Sequence, residues 1–252
     1  MRRLFIKAKL TDEIRITGSD AHHLMHVMRA KAGQRLIVVD DEGKTAETEI
    51  TGFSAESVML QVRQILDSSN EPPVELVLAQ CLPKGDKMDF IVQKAVELGA
   101  AGILPLRSTN CVVRYDAKKA AARQLKWQKI ADEAAKQCAR TIIPRVEPVT
   151  ELSAWLQSLP ADKAEHTAFL MCYENEQQQE IKAYLQAAAA RRYVVLIGPE
   201  GGFSLEEAAL AAACGVQTVT LGPRILRAET AALAALAVLQ YEKGDLGGRS
   251  TK

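Results

Sequence analysis

Arg224, Arg227 and Glu229 follow a strand-like run that ends in Leu221-Gly222-Pro223, and an earlier run, Leu196-Ile197-Gly198-Pro199, ends in the same way. Glycine at a strand end lets a ligand reach main-chain N–H and C=O groups, because no Cβ stands in the way. The carboxyl ends of strands in open α/β sheets are also where ligands sit. Two such turns between Tyr193 and Ala231, the second beside two guanidinium groups and a carboxylate, read as a small-molecule site built largely on backbone. Gly198, Gly201 and Gly202 do not form G-x-G-x-x-G, and no G-K-[ST] follows them, so neither a dinucleotide loop nor a P-loop is supported. Residue types alone do not name the ligand.

Other candidate chemistry is weaker. His22, His23 and His26 cluster in one segment, with His22 and His26 one helical turn apart, but no carboxylate or cysteine completes a metal set beside them. Solvated or RNA-facing histidines near Arg29 and Lys31 are the favoured reading, and no metal is expected. No G-x-S-x-G, H-E-x-x-H or Cys/His pairing argues for hydrolysis. Lys84, Lys87 and Lys94 form either a solvated face or a phosphate contact. The same two readings apply to the stripe Lys118, Lys119, Arg123, Lys126, Lys129, Lys136 and Arg140.

Two kinds of segment position these residues. Residues 1–70 are β-rich: Leu4–Ala8, Ile14–Ile16, Arg35–Asp40, Thr45–Phe53 and Val58–Ile65 have strand character, the last two alternating apolar and polar residues. One helix interrupts them, from Ser19 as N-cap to about Arg29, closed near Gly33. The pattern predicts a small barrel with an inserted helix. Asp67–Pro73 is polar, holds two prolines, and reads as a linker.

From residue 74 to 246 strands and helices alternate. Strands are expected at Val74–Leu82, Gly102–Leu106, His166–Cys172, Tyr193–Gly198 and Val216–Leu221. Helices are expected at Asp86–Leu98, 117–140, Glu151–Leu159, Asn175–Ala190, after Ser204, and Ala228–Glu242. That rhythm implies a mostly parallel sheet covered by helices on both faces. Ser204 and Glu207 have capping-box spacing, and Gly215 sits where a left-handed C′ residue is expected. The alanine density of residues 231–237 suits either burial in the core or a helix seam between two copies. The tail Gly247–Lys252 is expected to be loose.

Composition sets the outer limits. The 252 residues are 48% apolar and 25% charged, and no run is long enough to span a bilayer. The start, MRRLFIKAKL, is basic but lacks the apolar core and cleavage site of a signal peptide. Cys81, Cys111, Cys138, Cys172 and Cys214 form no C-x-x-C pair, which points to reduced thiols and a cytoplasmic protein. The formal net charge of +1 argues against indiscriminate nucleic-acid binding, yet residues 114–145 carry nine basic against three acidic side chains. A polarised chain of this kind can present basic faces to phosphate while remaining neutral overall.

Taken together, GPEGGF at 198–203 and LGPRILRAETA at 221–231 resemble the paired motif of the 16S ribosomal RNA uridine N3-methyltransferases, the RsmE-type members of the SPOUT superfamily. MRRLF at the start, His22-His23 with Val27-Met28-Arg29, Lys84-Gly85-Asp86-Lys87-Met88 and Ala95–Gly99 agree, so the resemblance covers essentially the whole chain. Ala228 departs from the pattern, since the family often has threonine there. The resemblance implies an N-terminal PUA-like RNA-binding β-barrel (1–70) and a C-terminal SPOUT α/β domain with a trefoil knot (74–246). It also implies S-adenosylmethionine bound among three strand-end loops, and a homodimer in which the second copy completes the site. Mapped here, it makes Met171, Ile197, Gly198, Glu200, Gly201, Leu221, Gly222, Ile225 and Leu226 the cofactor contacts.

Methylation at N3 of a uridine requires loss of a weakly acidic proton and in-line attack on a methyl carbon. Arg227 is suited to stabilise the developing anion and Glu229 to take the proton, although a purely structural Arg227–Glu229 ion pair is an open alternative. Arg2, Arg3, His23, Arg29, Lys84 and Lys87 are the expected contacts to 16S ribosomal RNA of the small subunit. A non-catalytic RNA-binding assembly factor with the same fold is the rival reading, and two intact ligand turns count against it. A Rossmann-type methyltransferase fails on layout, because its glycine loop follows the first strand of its domain.

Overall fold

The computed structural model describes residues 3–67, 70–160 and 166–248. Internal contacts divide the chain into two units: Met1–Glu71 together with Ala135–Ile142, and Pro72–Ala134 together with Ile143–Lys252. Arg2 and the last four residues of the expected loose tail lie outside the described residues.

The first unit is a five-stranded sheet of order β1-β3-β4-β5-β2, made of β1 (Arg3–Phe5), β2 (Glu13–Thr17), β3 (Arg35–Val39), β4 (Thr45–Phe53) and β5 (Ser57–Leu66). β1 pairs parallel with β3, and the other neighbours are antiparallel. Register shifts at Glu47/Thr48 and Ile50/Gly52 interrupt the β4–β5 ladder. Such bulges increase local twist and curl a sheet around its buried face. Inside lie Leu4, Ile14, Ile16, Leu36, Val38, Ile50, Val58 and Leu60, closed at one side by Ala21 and Leu24.

The inserted helix differs from expectation. It begins after Thr17, not Ser19, runs as α1 (Gly18–His22) and continues as a π-helical turn, His23–Val27. Arg29, at φ 51°, ends it by taking the left-handed conformation, so Gly33 is not the stop. Met28 and Ala30 N–H groups bond back to His23 and Leu24 carbonyls across this wide turn.

The second unit is a parallel sheet. Its main path runs β12-β10-β11-β6-β7-β8, with β9 pairing β7. The strands are β6 (Glu75–Cys81), β7 (Ala100–Arg107), β8 (Arg145–Val146), β9 (Thr150–Glu151), β10 (Thr167–Cys172), β11 (Arg192–Ile197) and β12 (Gln217–Val219). β6 and β11 are buried along almost their whole length, as strands covered on both faces must be. The helices are α2 (Lys87–Glu97), α3 (Ala117–Gln137), α4 (Leu152–Gln157), α5 (Ile181–Ala187), α6 (Leu205–Ala213) and α7 (Ala228–Lys243).

Two details depart from the sequence reading. The two-residue strands β8 and β9 were too short to register as hydrophobic runs. Residues 175–180, expected to be helical, form a loop. There the Glu176 carboxylate accepts from the N–H groups of Gln178 and Gln179 and from Thr218 Oγ1 at 2.6 Å. A side chain that satisfies nearby backbone donors competes with the helical ladder, and α5 starts only at Ile181.

Candidate active site

The strand ends meet on one rung. Cys172 of β10 stands opposite Ile197 of β11 on one side and Val219 of β12 on the other. Beyond that rung the chain leaves as three loops, 173–180, 198–204 and 220–227. They line a cavity of about 1100 Å³, to which Lys87, Ala228 and Ala231 also contribute. β12 follows β11 in sequence yet lies beyond β10 in the sheet, and this crossing brings the two glycine turns together.

The first glycine loop is held from several directions. The Ser204 hydroxyl accepts from Glu207 N–H while Glu207 Oε2 accepts from Ser204 N–H at 2.9 Å, completing the expected capping box. Glu207 Oε1 also accepts from Thr109 N–H at 2.7 Å. Asn110 Nδ2 donates to the carbonyls of Gly201 and Gly202 at 3.0 and 3.3 Å. Gly202 has φ +65°, and a Cβ there would lie 1.7 Å from Glu174 Oε1, so this carboxylate occupies the space a side chain would need. In the second loop Gly222 has φ +112°, with its N–H bonded to Thr220 Oγ1. A Cβ at Gly222 would meet nothing, so glycine serves backbone shape there.

Lys87 links Glu200 of the cavity lining to Glu229, which lies behind that lining and not in it. Its ammonium donates to Glu200 Oε1 at 2.8 Å and lies 3.2 Å from Glu229 Oε2, a buried oxygen without an aligned hydrogen bond. Glu200 accepts in addition from Lys84 N–H. Partial burial works against ionisation of Glu200, but the Lys87 and Lys84 hydrogen bonds hold its carboxyl below the usual range. Glu229 is also held low, first by its own N–H in the opening turn of α7 and then by Lys87 and Arg227. The two carboxylates push the Lys87 ammonium up, the Glu200 hydrogen bond most of all. Burial pushes the Cys172 thiol up to about 12.

Eight of the nine expected cofactor contacts line the cavity: Ile197, Gly198, Glu200, Gly201, Leu221, Gly222, Ile225 and Leu226. Met171 does not. Its side chain is fully buried, and the wall is formed by the next two residues, Cys172 and Tyr173. β10 ends at Cys172, so the lining begins with the last strand residue and continues into the loop, one residue past Met171. Glu174, Glu176, Glu180 and Thr220 in the lining, and the Asn110 clamp, were not singled out from sequence. Strand-end loops were the available signal for the first four; Asn110 is remote in sequence and left none.

Arg227 is exposed and is the N-cap of α7; its carbonyl accepts from Ala231 N–H at 2.8 Å, while its side chain makes no ion pair or hydrogen bond with the described residues. The structural alternative of an Arg227–Glu229 pair is not formed, because Glu229 pairs with Lys87. Arg3 donates to the carbonyls of Ala139 and Arg140, the latter at 2.7 Å, at the end of α3. His23 is half-buried in the π-helical turn, whereas Arg29 and Lys84 are exposed. Much of the basic stripe is also paired: Arg123 with Asp86, Lys126 with Asp89, and Lys136 with Asp20. Among the described residues no group of three or more His, Cys, Asp or Glu could hold a metal ion.

The cavity suits an adenosine-type sulfonium donor. Ile197, Leu221, Ile225 and Leu226 supply apolar lining, the glycines open main-chain groups, and Glu174, Glu176, Glu180 and Glu200 share the lining with Lys87, Lys182, Arg224 and Arg227. Its size exceeds what such a ligand needs.

Comparison with known proteins agrees with this geometry. Residues 70–240 match the model of an RNA methyltransferase domain, and residues 16–62 that of an RNA methyltransferase PUA domain. Ribosomal RNA small subunit methyltransferase E of Bacillus subtilis is 36% identical over 239 residues, 92% of this chain and 91% of that protein. The crystal structure of a ribosomal RNA small subunit methyltransferase E from Neisseria gonorrhoeae, bound to S-adenosylmethionine, superposes with a TM-score of 0.85 at 32% identity, covering 97% of this chain and 99% of that one. A putative methyltransferase from Legionella pneumophila, in complex with the same cofactor, has a TM-score of 0.83 at 30% identity, covering 97% and 98%. The chain belongs to the RNA methyltransferase family of ribosomal RNA small subunit methyltransferase E, with a PUA domain before its parallel-sheet domain.

Proposed function

We propose that the protein transfers the methyl group of S-adenosylmethionine to N3 of a uridine in 16S ribosomal RNA of the small subunit, working in the cytoplasm as a homodimer. The observation that carries this reading is the Val219–Cys172–Ile197 rung, beyond which two glycine loops shape one cavity beside Arg227 and Glu229. Residues 1–70 act as the RNA-docking domain and 74–246 as the catalytic domain. The order β12-β10-β11 supports a knotted crossing, since the chain returns past β10 to place β12.

When bound, the donor supplies an electrophilic methyl group on a positively charged sulfur. The glycine turns accept it against main chain, while Ile197, Leu221 and Leu226 exclude water around it. Arg227, whose side chain makes no hydrogen bond or ion pair with the described residues, stabilises negative charge as it develops on the uracil ring. Glu229, held ionised, accepts the N3 proton as the new N–C bond forms, and the donor leaves as a neutral thioether. Arg29 and Lys84, both exposed, contact RNA phosphates, with Arg2 and His23 as further candidates.

The dimer reading is supported by two apolar features that keep solvent exposure. Ile225 at the cavity is 91% exposed. Ala231, Ala234, Val238 and Tyr241 lie three, four and three residues apart along one side of α7, the first three half-buried and Tyr241 exposed. No helix among the described residues is long and apolar enough to cross a membrane.

Calorimetry with S-adenosylmethionine, with methylation of small-subunit RNA by Arg227→Ala, tests the proposal. Arg227→Ala is expected to retain donor binding and lose turnover. Near-normal methylation by that variant would remove Arg227 from the mechanism, and absence of donor binding by the unaltered protein would overturn the reading itself.

A further inference from the structure

Lys87 carries more than the mechanism asks of it. It is the first residue of α2, yet its ammonium lies within 3.2 Å of carboxylate oxygens from two other segments: Glu200 in the loop after β11 and Glu229 in the first turn of α7. The three side chains are only about a quarter exposed, at 28, 26 and 23%. Lys84 N–H, three residues before Lys87, binds the same Glu200 carboxylate through both oxygens at 3.2 and 3.3 Å. One turn of chain therefore grips the first glycine loop twice, and through Lys87 also reaches the helix that follows the second.

We propose that Lys87 is a positioning residue whose ammonium fastens the Gly198–Gly202 loop to the start of α7, shaping the donor cavity before any ligand enters, and that it is not an RNA phosphate contact. The cavity's identity as a donor site rests on the function proposed above; the fastening does not. An ammonium engaged by two carboxylates has little left to offer a phosphate, and a phosphate brought to it would meet both negative charges. Removing the ammonium would leave Glu200 and Glu229 facing each other unscreened. The two loops would then separate, or one carboxylate would bind a proton.

The test uses the full chain as Lys87→Met and Lys87→Arg. Three quantities are measured: amide hydrogen exchange of residues 198–203 and 222–229 without ligand, S-adenosylmethionine affinity between about pH 5 and 8, and the salt dependence of RNA affinity. Lys87→Met should speed exchange in both loops and weaken donor binding by roughly tenfold or more, the scale of one lost charge-assisted hydrogen bond. It should also give donor binding a dependence on pH in the acid half of that range. Lys87→Arg should recover most of each property, and the RNA salt slope should not change. Unchanged exchange and donor affinity would overturn the proposal, whether or not the RNA slope fell by about one, the signature of a lost phosphate contact. If Lys87→Met does not fold, Glu200→Gln weakens the same bridge from its other end. It should also speed exchange in both loops, but without the new pH dependence, because only one carboxylate remains. Failure of the unaltered protein to bind the donor would count against the proposed function, while the exchange measurement would still decide the role of Lys87.

Discussion

Arg140 and Glu71 form a buried pair within the first unit: Nε donates to Oε2 at 2.7 Å, and the arginine side chain is only 4% exposed. The other oxygen, Oε1, accepts from the N–H groups of Thr141 and Ile142 at 2.7 and 3.1 Å. Glu71 thus ties the end of the N-terminal segment to residues 140–142, which come from the middle of the chain. Burial opposes ionisation of Glu71, but Arg140 and the two backbone donors outweigh it and keep the carboxyl below its ordinary value.

Glu71→Gln is therefore expected to destabilise the protein at neutral pH by about 3 kcal/mol, because it removes the charge of a carboxylate hydrogen-bonded to a buried guanidinium. A carboxyl whose folded pKa is depressed contributes stability above its unfolded pKa, near 4.3, and loses it as pH falls through the lower folded value. The stability gap between Glu71→Gln and the unaltered protein should accordingly shrink below about pH 4. Urea unfolding at neutral and acid pH checks this; a gap that does not change with pH would deny the pair its charge.

Ser204→Ala removes one half of the α6 capping box and should cost about 1 kcal/mol. Glu207→Ala should cost more, since it strips both the Ser204 and the Thr109 N–H groups of their acceptor. Equal losses in urea titrations would mean that the Thr109 bond contributes nothing.

Gly222→Ala meets no steric obstacle but forces alanine into φ +112°. Backbone strain of roughly 1–3 kcal/mol is expected, relieved by movement of the loop, so donor affinity should fall more than stability does. Gly202→Ala forces alanine into φ +65° and displaces only the flexible end of Glu174, so it should cost about 1–2 kcal/mol. Paired calorimetry and melting curves separate the two; an unaltered donor affinity in Gly222→Ala would show that this turn does not touch the ligand.

RNA docking is best probed away from Arg3. Arg3→Glu should lower stability as well as RNA affinity, because Arg3 holds the carbonyls of Ala139 and Arg140. Arg29→Glu should leave stability within about 0.5 kcal/mol and weaken RNA binding, with a shallower salt slope. Filter binding at several salt concentrations decides; an Arg29→Glu protein with the unaltered slope would move the docking surface elsewhere.

Much of this molecule is legible from local chemistry. The glycine turns at 198–202 and 222, the Ser204–Glu207 box, the stop at Gly215 (φ +78°) and the apolar strands β6 and β11 are short-range features. Each is set by the conformations its own residues allow and by hydrophobic periodicity. Local patterns also misled where a side chain intervened, as at Glu176, which caps backbone donors and keeps residues 175–180 out of α5.

Only the tertiary structure decided what faces the cavity. Placing β12 beyond β10 sets Cys172 and Tyr173, not Met171, on its wall, a choice made by sheet register and invisible to composition. The same holds for Lys87, which read as a solvated or phosphate-binding lysine until Glu200 and Glu229, both more than a hundred residues away, closed around it. Charge pairing over such separations depends on how parallel strands are ordered by their crossovers, and no short window of sequence records that order.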